Sequence, residues 1–175
     1  MTSQTSASQS DASSQEKAGK YLTFALGNED FGLEILKVRE IIALMDITPV
    51  PMSPSYVRGV INLRGRIIPV VDLRLKFSMP KTDDHDRKCI IVVDVARGAA
   101  ALQMSILVDA VSEVIQIDGK DIGPPPAFGN TDAGFILGMG KYRGRLKILL
   151  NIDSVLSGDE TFSLAEGSEE AVSSA

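Results

Sequence analysis

Residues 59–73, GVINLRGRIIPVVDL, constrain the fold of this chain more than any other stretch. Two β-branched apolar runs meet at Arg64-Gly65-Arg66, and such runs on either side of a glycine turn predict a hairpin. Asp72 then stands as an N-cap ahead of a short helical pattern that runs to Phe77. The unusual part is polar: Asn62, Arg64 and Arg66 sit among residues that otherwise read as core. Charge at the tip of an apolar hairpin is either turn chemistry or a contact site, and the hairpin alone leaves both open.

The same β texture runs through most of the chain. Leu22, Phe24 and Leu26 alternate, a turn follows at 27–30, and Phe31, Leu33 and Ile35 alternate again, which predicts another hairpin. Val38, Ile41, Ile42 and Met45 then fall at i, i+3, i+4 and i+7, the spacing of one face of a short helix. Periodicity makes Val38 and Ile41 core residues, with Arg39 and Glu40 as surface charges beside them. Pro49, Pro51 and Pro54 mark a loop, in which Ser53 and Pro54 fit the N-cap and first position of one helical turn. Beyond a charged linker at 81–88, strands are predicted over 89–95, 99–108, 135–138 and 145–152, and 110–117 is a strand or a helix–strand mixture. Asp153 is the expected cap of a last turn at 154–157.

An internal echo suggests a duplication. KVREII at 37–42 returns as AVSEVI at 110–115, 73 residues later, and Arg64-Gly65-Arg66 returns as Arg143-Gly144-Arg145, 79 residues later and in the same order. Two related β units, roughly 21–88 and 89–158, are expected. Units of that size are marginal alone, so they should pack tightly and share a core. Residues 1–20 and 159–175 lack the apolar content to offset chain entropy and are expected to be disordered tails.

Charge and composition remove several functions. The net charge is −5, but residues 159–175 carry five acids and no Lys or Arg, and 21–158 carry sixteen residues of each sign. A neutral body offers no electrostatic footprint for nucleic acid and little attraction to an anionic membrane. With nine Phe and Tyr in total, the rival reading of an OB-type nucleic-acid or peptide reader lacks its stacking platform. His85, the single histidine, lies in the polar linker, and no His or Cys stands at metal-ligand spacing, so no catalytic residue, metal site or cofactor is expected and a small hydrolase has no nucleophile and base set. Asp83, Asp84, His85 and Asp86 read as a solvated loop rather than a cation site, and Cys89 as a packing residue at the start of a strand. Gly138-Met139-Gly140-Lys141 lacks the spacing and the hydroxyl of a phosphate loop and reads as a glycine-rich β turn. One cysteine, no apolar run of spanning length and no signal pattern point to a soluble cytoplasmic protein. Phe128, in a Pro- and Gly-rich loop, is equally a packing or a contact residue.

YLTFALGNEDFGLEILKVREII, then ITPVP, then VRGVINLRGRIIPVVDLR resemble the CheW family of bacterial chemotaxis coupling proteins over about 21–158. The NLRG-x-x-x-P-V-x-D-L segment is the specific part, matched by Asn62, Leu63, Arg64, Gly65, Pro69, Val70, Asp72 and Leu73. The resemblance implies a mostly β fold of two packed five-stranded barrels, related to SH3 and OB barrels, with short helices and some strand exchange. It implies a non-enzymatic adaptor that binds the cytoplasmic tips of methyl-accepting chemoreceptors and the regulatory domain of the histidine kinase CheA. Rings with other CheW-like modules, no nucleic acid, no membrane insertion and a cytoplasmic location at membrane-associated receptor arrays follow from the same resemblance. The receptor groove carries over to Ile35 and Val38, with Val111 as the second-half counterpart. Glu40 and Arg64 match positions that matter for coupling, and their opposite charges suggest a pair. Phe128 matches an aromatic in the ring-contact loop.

Overall fold

The structure is a computed structural model and describes residues 17–157 except 86 and 126–133. β1 (Gly19–Leu26) and β2 (Glu29–Glu34) form a hairpin, and a 3₁₀ turn, Ile35–Lys37, leads into β3 (Val38–Ala43). β4 (Val57–Leu63) and β5 (Arg66–Asp72) form the hairpin of the NLRG segment, followed by the single-turn helix α1 (Leu73–Lys76). The second half runs β6 (Cys89–Arg97), β7 (Ala100–Val108), β8 (Ala110–Ile117), a 3₁₀ turn, β9 (Ile122–Gly123), β10 (Ile136–Tyr142), β11 (Arg145–Leu150) and α2 (Ile152–Val155). No helix among the described residues is long and apolar enough to cross a membrane.

The strands make two sheets, ordered β8-β1-β2-β11-β10-β9 and β3-β6-β7-β5-β4. The first has six strands rather than five because the two residues of β9 pair with β10. The sheets do not divide at residue 88. One is drawn from the continuous stretch 38–108, whereas the other joins the β1–β2 hairpin to β8–β11. Each half therefore lends its leading hairpin to the other: β6–β7 lies between β3 and β5, and β1–β2 lies between β8 and β11. Both inserted hairpins end on a parallel pair, β5 with β7 and β11 with β2.

The 79-residue echo continues in finer detail than the arginines. A bulge falls at Gly59 in the β4–β5 ladder and at Gly138 in the β10–β11 ladder, five residues before Arg64 and Arg143. The next residues, Val60 and Met139, pair with Thr48 and Gly123. Eight residues after each arginine, Asp72 and Asn151 cap the two helices through their side chains. Thus Asn151, not Asp153, is the cap of the last turn, because its side-chain Oδ1 accepts from the Ser154 N–H. Gly138–Lys141 lies within β10 and its bulge rather than in a turn.

Burial follows from strands that are covered on both faces. Ile91, Val93 and Val95 of β6 enter a central cluster with Leu22, Phe24, Leu26 and Leu33 of the other sheet, while Ile90 and Val92 enter a smaller core with Ile61, Ile68 and Val70. This is why 89–93 reads as an unbroken apolar run. A third cluster of Tyr21, Ile115, Ile117, Ile122 and Leu149 fills the far side of the six-stranded sheet. Phe24, Phe31, Phe77 and Phe135 stack in series through the centre at 5.7, 5.9 and 5.6 Å between ring centroids. Cys89 is half-buried and packs against the same central cluster.

Two further local expectations fail. Residues 38–43 are a strand, not a helix, and burial alternates along them. The apolar spacing fitted a helix, but the β-branched Val38, Ile41 and Ile42 pair with Val93, Ile91 and Ile90 of β6, and that ladder overrides the helical period. Ile41 consequently faces solvent, 43% exposed. Ser53 and Pro54 do not begin a helical turn: the Ser53 hydroxyl donates to the Val50 carbonyl and the Val57 N–H closes a turn onto Pro54.

Candidate functional site

Glu40 and Arg64 meet because three local devices aim them at each other. A bulge between Val38 and Glu40 in the β3–β6 ladder resets which way the strand's side chains point. The β4–β5 connection is the two-residue turn Arg64-Gly65, with both residues at positive φ (52° and 86°), as a type I′ hairpin requires. The Asn62 side chain fixes that turn by accepting from the Gly65 N–H at 2.9 Å. The Arg64 guanidinium then donates to both Glu40 oxygens, at 3.0 and 2.5 Å. Hydrogen bonds from Arg64 hold the Glu40 carboxyl below the usual carboxylate range and raise the guanidinium in turn.

The position of this pair matters more than its exposed charges. β3 and β4 are the two edges of the five-stranded sheet. Arg64–Glu40 ties those edges together, and Thr48, in the segment that leaves β3, bonds Val60 of β4 in both directions at 2.9 Å. In the second half Arg143 has the same turn conformation, φ 51°, but lies over its neighbour Tyr142, 5.2 Å from the ring centroid.

The apolar residues gather less completely. Ile35, Val38 and Val111 are each half-buried and pack against the central cluster. Ile35 follows Glu34, whose level in the sheet is Tyr21 and then Ile115. Val111 lies four residues from Ile115, about 13 Å along β8, so Ile35 and Val111 do not sit side by side. Val111 does occupy the place in edge strand β8 that Val38 occupies in edge strand β3. Phe128 lies outside the described residues.

Leu36 was missed by the sequence reading. It projects from the 3₁₀ turn at 90% exposure between the half-buried Ile35 and Val38. The signal was present as a leucine out of phase with the alternation of Phe31, Leu33 and Ile35. Lys37 anchors the turn by an ion pair with Asp153 of α2 at 2.8 Å, and Asp153 also accepts from the Ala96 N–H at 2.8 Å. The turn thus presents an apolar prominence on a pinned backbone, close in sequence to the Glu40–Arg64 ion pair. No group of His, Cys, Asp or Glu among the described residues is arranged to hold a metal.

The CheW-like domain family matches residues 20–160. The chain belongs to the CheW family. It is 36% identical over 142 residues to the chemotaxis protein CheW of Klebsiella aerogenes, covering 81% of this chain and 83% of that protein. Against the chemotaxis protein CheW of Thermotoga maritima the identity is 35% over 154 residues, 86% and 94% of the two chains. The crystal structure of the scaffolding protein TtCheW from Thermoanaerobacter tengcongensis is similar at a TM-score of 0.72 and 34% identity, covering 82% of this chain and 95% of that one. CheW membership makes this chain a chemotaxis adaptor of a scaffold family, and the two-sheet β fold is the fold of that family.

Proposed function

We propose that this CheW-family adaptor joins the cytoplasmic tips of methyl-accepting chemoreceptors to the regulatory domain of the histidine kinase CheA, in the cytoplasm at membrane-associated arrays, without catalysis of its own. The observation that carries the reading is the exposed Leu36, flanked by Ile35 and Val38 and followed by the Glu40–Arg64 pair. Val111, at the equivalent position of the second half, is the counterpart contact on the other sheet. Phe128 is assigned to contacts with the kinase and with other CheW-like modules in rings.

A bridge without chemistry acts through binding free energy alone. It passes on a receptor signal only if its contacts differ between the receptor's signalling states. Modest apolar contacts suit that role, because ring closure adds avidity without tightening any single site.

Val38 packs against the central cluster, so Val38→Asp tests binding and folding together. Leu36→Asp separates them, since Leu36 supports nothing beneath it. Purified Leu36→Asp is expected to melt like the parent and to bind a receptor-tip fragment at least about tenfold more weakly, a loss of about 1.4 kcal/mol. Unchanged binding by both variants would overturn this face as the receptor site.

A further inference from the structure

We infer that the acidic segment 159–166 of this chain docks onto the groove beside the 3₁₀ turn Ile35–Lys37 and covers Leu36. The groove has a volume of about 350 Å³ and is lined by Lys17, Lys20, Tyr21, Glu34, Ile35 and Leu36, among others. Its charged groups are two lysines against one carboxylate. The Tyr21 hydroxyl donates to the Lys17 carbonyl, and burial, reinforced by Glu34, pushes its pKa up to about 12, so it adds no negative charge. The groove therefore carries net positive charge beside the most exposed leucine of the described residues.

The sequence that follows α2 is complementary to it. Asp159 and Glu160 precede, and Glu166 follows, Phe162 and Leu164, which stand two residues apart and share one side of an extended chain. Residues 159–175 contain no Lys or Arg. The helix that precedes this segment is tied to the same turn. Lys37, next to Leu36, is bonded to Asp153 of α2, which pins that helix to the turn. From Ser157 the five residues to Phe162 reach up to about 17 Å. Attachment to the same chain gives the segment a high effective concentration, so weak contacts suffice.

Amide hydrogen exchange on the full chain tests the docking directly, with no receptor present. Two variants are compared with the parent: Phe162→Ser with Leu164→Ser in the segment, and Lys17→Glu with Lys20→Glu on the groove. Each is expected to speed exchange at residues 34–37 by about tenfold, the loss of an intramolecular contact, and to leave residues 90–93 unchanged. About 0.5 M salt should do part of the same by screening. Adding Asp159→Lys and Glu160→Lys to the groove variant should restore protection. Exchange at 34–37 that ignores the segment variant overturns the docking. Protection that grows with protein concentration also overturns it, and gives the face to a second copy. Tighter receptor binding by the segment variant is a consequence that rests on the proposed receptor face. If exchange responds and receptor binding does not, the receptor reading fails and the docking stands.

Discussion

At the scale of single residues, Gly59 is the most crowded glycine among the described residues. Its φ is +140°, and a Cβ built there would lie 2.1 Å from the Thr48 carbonyl oxygen, the atom that accepts from the Val60 N–H. Gly59→Ala is expected to cost about 3 kcal/mol, through backbone strain and loss of the bridge between Thr48 and Val60 of β4. A urea midpoint lowered by that free energy divided by an unchanged slope is the measurement that checks it. Glu40 and Arg64 carry a different expectation, because both are partly exposed and their value is geometric. Glu40→Arg or Arg64→Glu alone should weaken receptor-fragment binding, and the double exchange should recover a large part of it. Absence of recovery would mean that the residues act separately. Both members of the pair were legible in sequence as opposite charges in a family motif. Leu36 was harder to find, because a single leucine out of register carries no periodic signal.

At the scale of elements, α1 shows how a four-residue helix is kept. Its cap, Asp72, is buried and accepts from the Arg74 and Leu75 N–H groups, with Arg58 at 3.4 Å on its other oxygen. Asp72→Ala should destabilise the chain by about 2 kcal/mol in chemical unfolding. Arg74, inside α1, donates to both oxygens of Asp109 at 2.6–2.9 Å, and Asp109 also accepts from the Gly27 N–H at 2.7 Å. One carboxylate thus joins α1, the β1–β2 turn and the β7–β8 junction. Burial alone would raise the Asp109 carboxyl, but the bonds from Arg74 and Gly27 outweigh it and hold the group below its ordinary value. A lowered folded-state pKa gives stability that is complete above the ordinary aspartate value, about 3.9, and is lost as pH falls through the lower folded value. Asp109→Asn should cost about 3 kcal/mol at neutral pH, since the half-buried Arg74 loses its carboxylate partner. It should also flatten the acid side of the stability profile below about pH 4, which thermal melts across pH will read. The cap at Asp72 was visible in sequence as a helix-start pattern. The Arg74–Asp109 tie was not, because its partners lie 35 residues apart and only the packing of β7 against β5 brings them together.

At the scale of the whole molecule, the exchange of hairpins makes each sheet depend on both halves of the chain. The central cluster draws on β1, β2, β6 and β7, so neither half owns a core. Phe24, fully buried and first in the series of stacked rings, reports on this. Phe24→Ala should lower stability by about 4 kcal/mol. Near-ultraviolet and far-ultraviolet signals should still melt together, because the two sheets cannot lose their shared core separately. Two resolved transitions would contradict that coupling. By itself the sequence determined the β class, the two arginine hairpins, the first helix cap and the repeat that relates the halves. These are local patterns of period, turn residue and motif, and they act within a few residues of one another. Only the tertiary structure decided that 38–43 is a strand, that each half gives its leading hairpin to the other, and that Arg64 closes onto Glu40 while Arg143 lies on Tyr142. Those outcomes turn on which apolar faces meet across long stretches of chain, and a hydrophobic pattern states that a face must be covered without naming what covers it.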